Sequence, residues 1–238
     1  MADERLIVAL DFHSLEDAKA LVEKLGDTVS WYKVGMELYY SVGSEIVTWL
    51  REQGKHVFLD LKLHDIPNTV GEGLCSLMGI GADIVNVHAG GGYTMMRRAG
   101  EMVRAEAKKR GIKPPKIIAV TVLTSINEED WQGLGQTVPI RSAVLRFAKL
   151  TQKAGLDGVV ASPQEASLIR EACGEDFLIT TPGVRPAGSS ADDQSRIATP
   201  ARALQAGASQ LVIGRPIRCA ADPQVAAEAI LKEMETCK

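Results

Sequence analysis

The sequence predicts an α/β fold of the (β/α)8 TIM-barrel class, and three observations carry that expectation. Eight short apolar runs recur along the 238 residues, each is followed by a longer amphipathic stretch, and the runs lack the alternation of a half-buried strand. Apolar or β-branched residues in unbroken series suit parallel strands covered on both faces. Strict strand–helix alternation at this length fits a closed barrel. The competing open, doubly wound sheet is disfavoured because no GxGxxG fingerprint follows the first run.

The first strand is LIVAL (6–10). Ser14 and Asp17 then make a capping-box-like start, Leu15, Ala18, Leu21, Val22 and Leu25 share one helical face, and Gly26 stops the helix. WYKVG (31–35) is the second strand, with a helix near 43–53. VFLDL (57–61) is the third, with a helix over 68–79, and DIVNVH (83–88) the fourth, with a helix over 93–110. IIAVTVL (117–123), DGVVAS (157–162), FLITT (177–181) and QLVIG (210–214) follow, with helices over 140–154, 163–173, 199–206 and 222–236. Ala-Gly pairs at 154–155 and 206–207, and GIGAD at 79–83, mark returns from helix to strand. No linker or composition shift divides the chain, so residues 1–238 are expected to form a single domain.

Composition narrows the function. With 45% hydrophobic and 24% charged residues the chain has enough apolar material for a sizeable core. Its 27 basic and 30 acidic residues are well mixed at a net charge of −3, so no surface is marked for nucleic acid. The basic stretch with Arg97, Arg98, Arg104, Lys108, Lys109 and Arg110 also carries Glu101 and Glu106, as a solvated helix face does. Cys75, Cys173, Cys219 and Cys237 form no CxxC pair and suit reduced thiols. MADERLIVAL is acidic at first and its apolar run is short, so neither a signal peptide nor a membrane span is expected, and a cytoplasmic location is. His13, His56, His64 and His88 lack metal-ligand spacing, so no metal site is expected.

A barrel places its active site at the C-terminal ends of its strands. Those positions hold Asp11, Lys33, then Asp60, Lys62 and Asp65, then His88. Thr121 and Thr124, Ser162, TPGVRP and GRPI follow on the later strands. Alternation along the third strand predicts Asp60 and Lys62 on the axial side with Leu61 outward. Burying Asp11, Lys33, Asp60 and Lys62 is costly unless they pair, and their pairing makes a preorganised polar site. Asn86 and His88 are expected only to satisfy hydrogen bonds near the barrel mouth. Gly214 lets backbone N–H groups approach an anion and Arg215 offers a forked donor, where barrels commonly bind phosphate. The loop 182–196 reads as a disordered segment or a lid; as a lid, it would use Arg185 and Gln194 to grip a phosphorylated ligand.

The segments ALDF (9–12), YKVG (32–35), DLKLHDIPNT (60–69), LTS (123–125), PGVRP (182–186) and IGRPI (213–217), with Gln194, span the chain. On these the sequence resembles the bacterial-type orotidine 5′-phosphate decarboxylase family. The resemblance implies conversion of orotidine 5′-monophosphate to UMP and CO2, the last step of de novo pyrimidine nucleotide synthesis, without metal or organic cofactor. It implies Lys62 as proton donor to C6, with Asp60 and Asp65 orienting it and keeping it charged. Lys33 would balance the carboxylates and touch the ribose, and Asp11 would hold a ribose hydroxyl. Thr124 would lie near the pyrimidine, Gln194 would bridge base and phosphate, Arg185, Gly214 and Arg215 would hold the phosphate, and Pro182 would join the substrate contacts. It also implies a homodimer in which Asp65 and Thr69 reach the partner's site. The 3-keto-L-gulonate-6-phosphate decarboxylases share the DxKxxD motif but use Mg2+, with an acidic ligand where this chain has Lys33. A cation there is expected to repel a divalent ion. A non-catalytic barrel that binds a sugar phosphate would need GRPI but not the Asp–Lys–Asp centre.

Overall fold

Eight parallel strands close on themselves in chain order. They are β1 (Leu6–Ala9), β2 (Trp31–Gly35), β3 (His56–Leu63), β4 (Ile84–His88), β5 (Lys116–Val120), β6 (Gly158–Val160), β7 (Leu178–Thr181) and β8 (Gln210–Ile213). The barrel shuts where Ile7 pairs with Val212 and Val8 with Ile213. This computed structural model describes residues 3–186 and 198–235.

Both strand faces are buried, which explains why the apolar runs do not alternate. One set of side chains, Ile7, Ala9, Phe58, Ile84, Ile118 and Val212, packs together as a small cluster. Their sequence neighbours, among them Leu6, Val8, Leu59 and Val85, join the larger cluster against the surrounding helices. Polar groups are therefore admitted chiefly where the strands end.

The helices are α1 (Leu15–Leu25), α2 (Met36–Val42), α3 (Glu45–Glu52), α4 (Pro67–Met78), α5 (Gly92–Arg110), α6 (Glu128–Gly133), α7 (Ile140–Lys153), α8 (Ala166–Cys173), α9 (Pro200–Gln205), α10 (Arg215–Arg218) and α11 (Pro223–Glu235). Ser14 caps α1 as its spacing predicts: its Oγ accepts from the Asp17 amide at 3.1 Å and donates to Asp17 Oδ2 at 2.7 Å. Three features differ from expectation. The helix expected near 43–53 is preceded by α2, separated from α3 by Gly43 at φ +69°. α6 and α10 are too short to show a hydrophobic period; α6 is set by its Asn127 cap, which accepts from the Asp130 amide at 2.9 Å. β5 and β6 stop earlier than their apolar runs, and Thr121 turns both its amide (3.1 Å) and its hydroxyl (2.9 Å) to the Val160 carbonyl.

On α5 the basic residues sit on a solvated, self-paired face, with Arg97 2.8 Å from Glu101 and Arg110 2.8 Å from Glu106. Among the described residues no helix is long and apolar enough to cross a membrane. Cys75, Cys173 and Cys219 are free thiols.

Candidate active site

At the C-terminal ends of β1, β2 and β3 four charged side chains alternate in sign. Lys33 Nζ donates to Asp11 Oδ1 at 3.0 Å and lies 3.5 Å from Asp60 Oδ2. Lys62 Nζ stands 2.8 Å from Asp60 Oδ1. The register delivers Asp60 to this place, since Gly35 pairs with Asp60 across β2 and β3. Gly35 is needed for contact rather than for backbone freedom. A β-carbon there would fall 2.8 Å from Lys33 Nζ and displace the ammonium from its two carboxylates.

Burial alone would raise the Asp60 carboxyl, but the Lys33 and Lys62 ammonium groups outweigh it and hold that carboxyl below its ordinary range. Burial likewise acts to lower Lys33, but the Asp60 and Asp11 carboxylates prevail and hold it above the ordinary lysine range. Both groups are thus charged across the neutral range, and each is the reason the other is.

The structure brings Asp60 and Lys62 together as expected, but not by strand alternation. β3 is irregular here: Leu59 pairs with Val85 and Leu63 with Val87, so the three residues between them face one residue of β4. Lys62 takes φ +53°, the only positive φ of a non-glycine residue among the described residues. The residue facing this bulge is Asn86, whose side chain is wholly buried. It accepts from the Lys62 amide and donates to Asp60 Oδ1, both at 2.7 Å.

Beside these charges lies a cavity of about 240 Å³, whose polar lining is Lys33, Asp60, Lys62, Thr124 and Ser125, with Pro182 beside them in the lining. Its remaining wall is mostly apolar, including Phe58, Val120, Val160 and Val212. Asp11 joins through Lys33, and Gly214 lies beside it: a β-carbon on Gly214 would come within 3.5 Å of Asp11 Oδ2. Arg215 opens α10, directly beyond β8. Arg185 follows β7 and is buried, its amide donating to the Ala198 carbonyl at 3.0 Å and its Nη1 to the Val184 carbonyl at 3.0 Å. Since β7 and β8 are neighbours, the two arginines belong to adjacent loops on the same end of the barrel. Gln194 lies outside the described residues, as does most of the loop that holds it.

Asp65 and Thr69 stand apart. Both are exposed on this chain and neither lines the cavity; the Asp65 carboxylate accepts from the Ile66 amide at 2.6 Å. Thr121 and Ser162 serve local structure, the latter capping the turn through the Gln164 amide at 3.2 Å. His88 packs its ring 5.4 Å from that of His64. Burial, then His64 and Lys62, keep the His88 imidazole below its usual pKa. Gly35 escapes sequence reasoning as a contact position, its signal being a glycine that ends an apolar run, whereas Asn86 satisfies hydrogen bonds near the barrel mouth as expected, on partners that the sequence does not name.

Residues 4–230 match the model of the orotidine 5′-phosphate decarboxylase / HUMPS family. Over 233 residues the chain is 48% identical to the orotidine 5′-phosphate decarboxylase of Geotalea daltonii, covering 98% of this chain and 97% of that protein. To that of Carboxydothermus hydrogenoformans it is 50% identical over 232 residues, 98% and 96% of the two chains. Among solved structures, orotidine 5′-phosphate decarboxylase from Lactobacillus acidophilus superposes with a TM-score of 0.85 at 42% identity, over 98% of this chain and 99% of that one.

Proposed function

The chain belongs to the orotidine 5′-phosphate decarboxylase / HUMPS family, and from that premise we propose that it converts orotidine 5′-monophosphate to UMP and CO2, with Lys62 protonating C6 and with no metal or organic cofactor. The observation that carries this reading is the Lys33–Asp60–Lys62 alternation lining a cavity whose other residues are mostly apolar. A flat pyrimidine suits the apolar wall, and the charged rim suits the one atom that changes charge.

In the reaction the bond between C6 and its carboxylate breaks, CO2 departs, and the electron pair stays on C6. That carbanion needs a nearby fixed positive charge and then a proton. The Lys62 ammonium supplies both, moving its proton to C6 and recovering one from solvent afterwards. Asp60, held ionised by two ammonium groups, keeps the Lys62 ammonium aimed until then. Lys33, drawn to Asp11 and Asp60, orders the part of the site where a ribose would lie. Its ammonium also fills the space between those carboxylates that a divalent cation would require, which favours the metal-free reading.

Gly214, Arg215 and Arg185, on adjacent loops after β8 and β7, form the phosphate end, with Thr124 and Pro182 beside the base. Phosphate is remote from the broken bond, so its binding energy is available to organise the site. The second subunit of a homodimer receives Asp65 and Thr69. Their exposure supports this, as does the apolar side chain of the intervening Ile66, left 66% exposed on one chain.

The test follows the ultraviolet absorbance of the orotate chromophore when EDTA-treated protein, purified from a host lacking its own decarboxylase, meets orotidine 5′-monophosphate. Rapid loss with wild type and none with Lys62→Ala is expected. Binding without turnover would instead fit a nucleotide-binding barrel, and turnover only after adding Mg2+ would overturn the metal-free mechanism.

A further inference from the structure

We propose that Asn86 is a positioning residue for this decarboxylation, setting through one side-chain amide both the orientation of the Asp60 carboxylate and the backbone from which Lys62 projects. The proposal rests on the decarboxylase reading and adds a residue outside the cavity lining.

The bulge creates the need. Between Leu59 and Leu63 the β3–β4 ladder is interrupted, so the Lys62 amide has no backbone carbonyl of β4 opposite it. The Asn86 side-chain oxygen takes that carbonyl's place at 2.7 Å, and its nitrogen reaches Asp60 Oδ1 at 2.7 Å. Asp60 Oδ1 in turn lies 2.8 Å from Lys62 Nζ, which closes a ring through Asp60, Lys62 and Asn86. The two ends of Lys62, its amide and its ammonium, are thereby referred to the same buried side chain.

Only one orientation of the amide satisfies both partners, because the reverse would oppose N–H to N–H and oxygen to carboxylate. The residue type is equally constrained. Aspartate would set a second carboxylate against Asp60, and leucine would leave the Lys62 amide and an Asp60 lone pair without this partner. Glutamine would be longer by a methylene in a site with no exposed surface. Asn86 also supplies part of what holds Lys62 in its left-handed conformation, which a lysine adopts only when its surroundings over-determine it.

The experiment compares Asn86→Ala and Asn86→Asp with wild type in steady-state decarboxylation, UMP binding and NMR amide exchange. For Asn86→Ala the expected result is a kcat loss of about 10²-fold, the scale of a small misplacement of a reacting group. KM and UMP affinity should change little, and the Lys62 amide should lose exchange protection while the amides of β4 keep theirs. A folded Asn86→Ala with near wild-type kcat, or with the Lys62 amide still protected, overturns the proposal. Should Asn86→Ala fail to fold, Asn86→Asp carries the test, since it keeps the size and the acceptor but loses the donor. It should turn over more slowly than wild type, by a deficit that shrinks as pH falls and the introduced carboxyl regains a proton; unaltered kcat overturns the proposal. Wild-type protein inert towards orotidine 5′-monophosphate would remove the decarboxylase reading, while amide exchange would still decide whether Asn86 pins Lys62.

Discussion

Replacing Lys62 by glycine and by alanine separates the chemistry of this residue from its backbone. Both variants lack the ammonium that lies 2.8 Å from Asp60, so both should retain UMP binding and lose turnover. They differ in the cost of φ +53°. An L-residue with a β-carbon pays about 1–2 kcal/mol for the left-handed region, whereas glycine pays almost nothing. Glycine loses part of that advantage, about 0.4–1 kcal/mol, through its freer unfolded chain. The glycine variant should therefore be the more stable by roughly 0.5–1 kcal/mol. For a chain of this size that corresponds to a melting difference of about 1–4 °C. Thermal and denaturant unfolding of the two proteins, followed by circular dichroism, measures it directly. An alanine variant equal to or more stable than the glycine variant would refute the claim that Lys62 is held in a strained conformation.

Two further outcomes are expected. Gly35→Ala should lower kcat by about tenfold by moving the Lys33 ammonium, and should also lower the melting temperature, since φ −92° suits any residue but the displaced group is a buried ammonium paired with Asp11 and Asp60; unchanged kcat would show that Lys33 need not touch Asp11 and Asp60 together. The stability advantage of wild type over Asp60→Asn should be full above the ordinary carboxylate pKa and fade as pH falls towards the depressed value of Asp60. The contribution of Lys33 should run oppositely, full below the ordinary lysine range and fading above it; denaturation midpoints that keep a constant wild-type advantage down the acid range would contradict the assigned shift.

Much of the site was legible because barrel chemistry is organised by strand ends. Once the apolar runs were ordered, Asp11, Lys33, Asp60 and Lys62 fell at neighbouring ends, and the structure joins them within 3.5 Å. Short elements were less legible. α6 and α10 are too brief for a helical period, and they depend on a cap or on the loop they close. The strand alternation invoked for Asp60 and Lys62 gave the right neighbours for an inapplicable reason, since a bulge and a left-handed lysine intervene.

What the sequence determined by itself was therefore the order of elements, the burial of both sheet faces and the kinds of charge at the mouth. These follow from hydrophobic period and residue chemistry, which are local properties of the chain. The tertiary structure alone decided that Gly35 must stay bare to seat an ammonium, that Asn86 replaces a missing ladder carbonyl, and that Lys62 bends back over Asp60. Gly35 meets Lys33, and Lys62 meets Asp60, two residues along its own strand, whereas the Asn86 contacts are distances between atoms on different strands. Pairing register sets such distances, and one chain's order of residues carries no signal for them beyond a glycine or an asparagine in an apolar run.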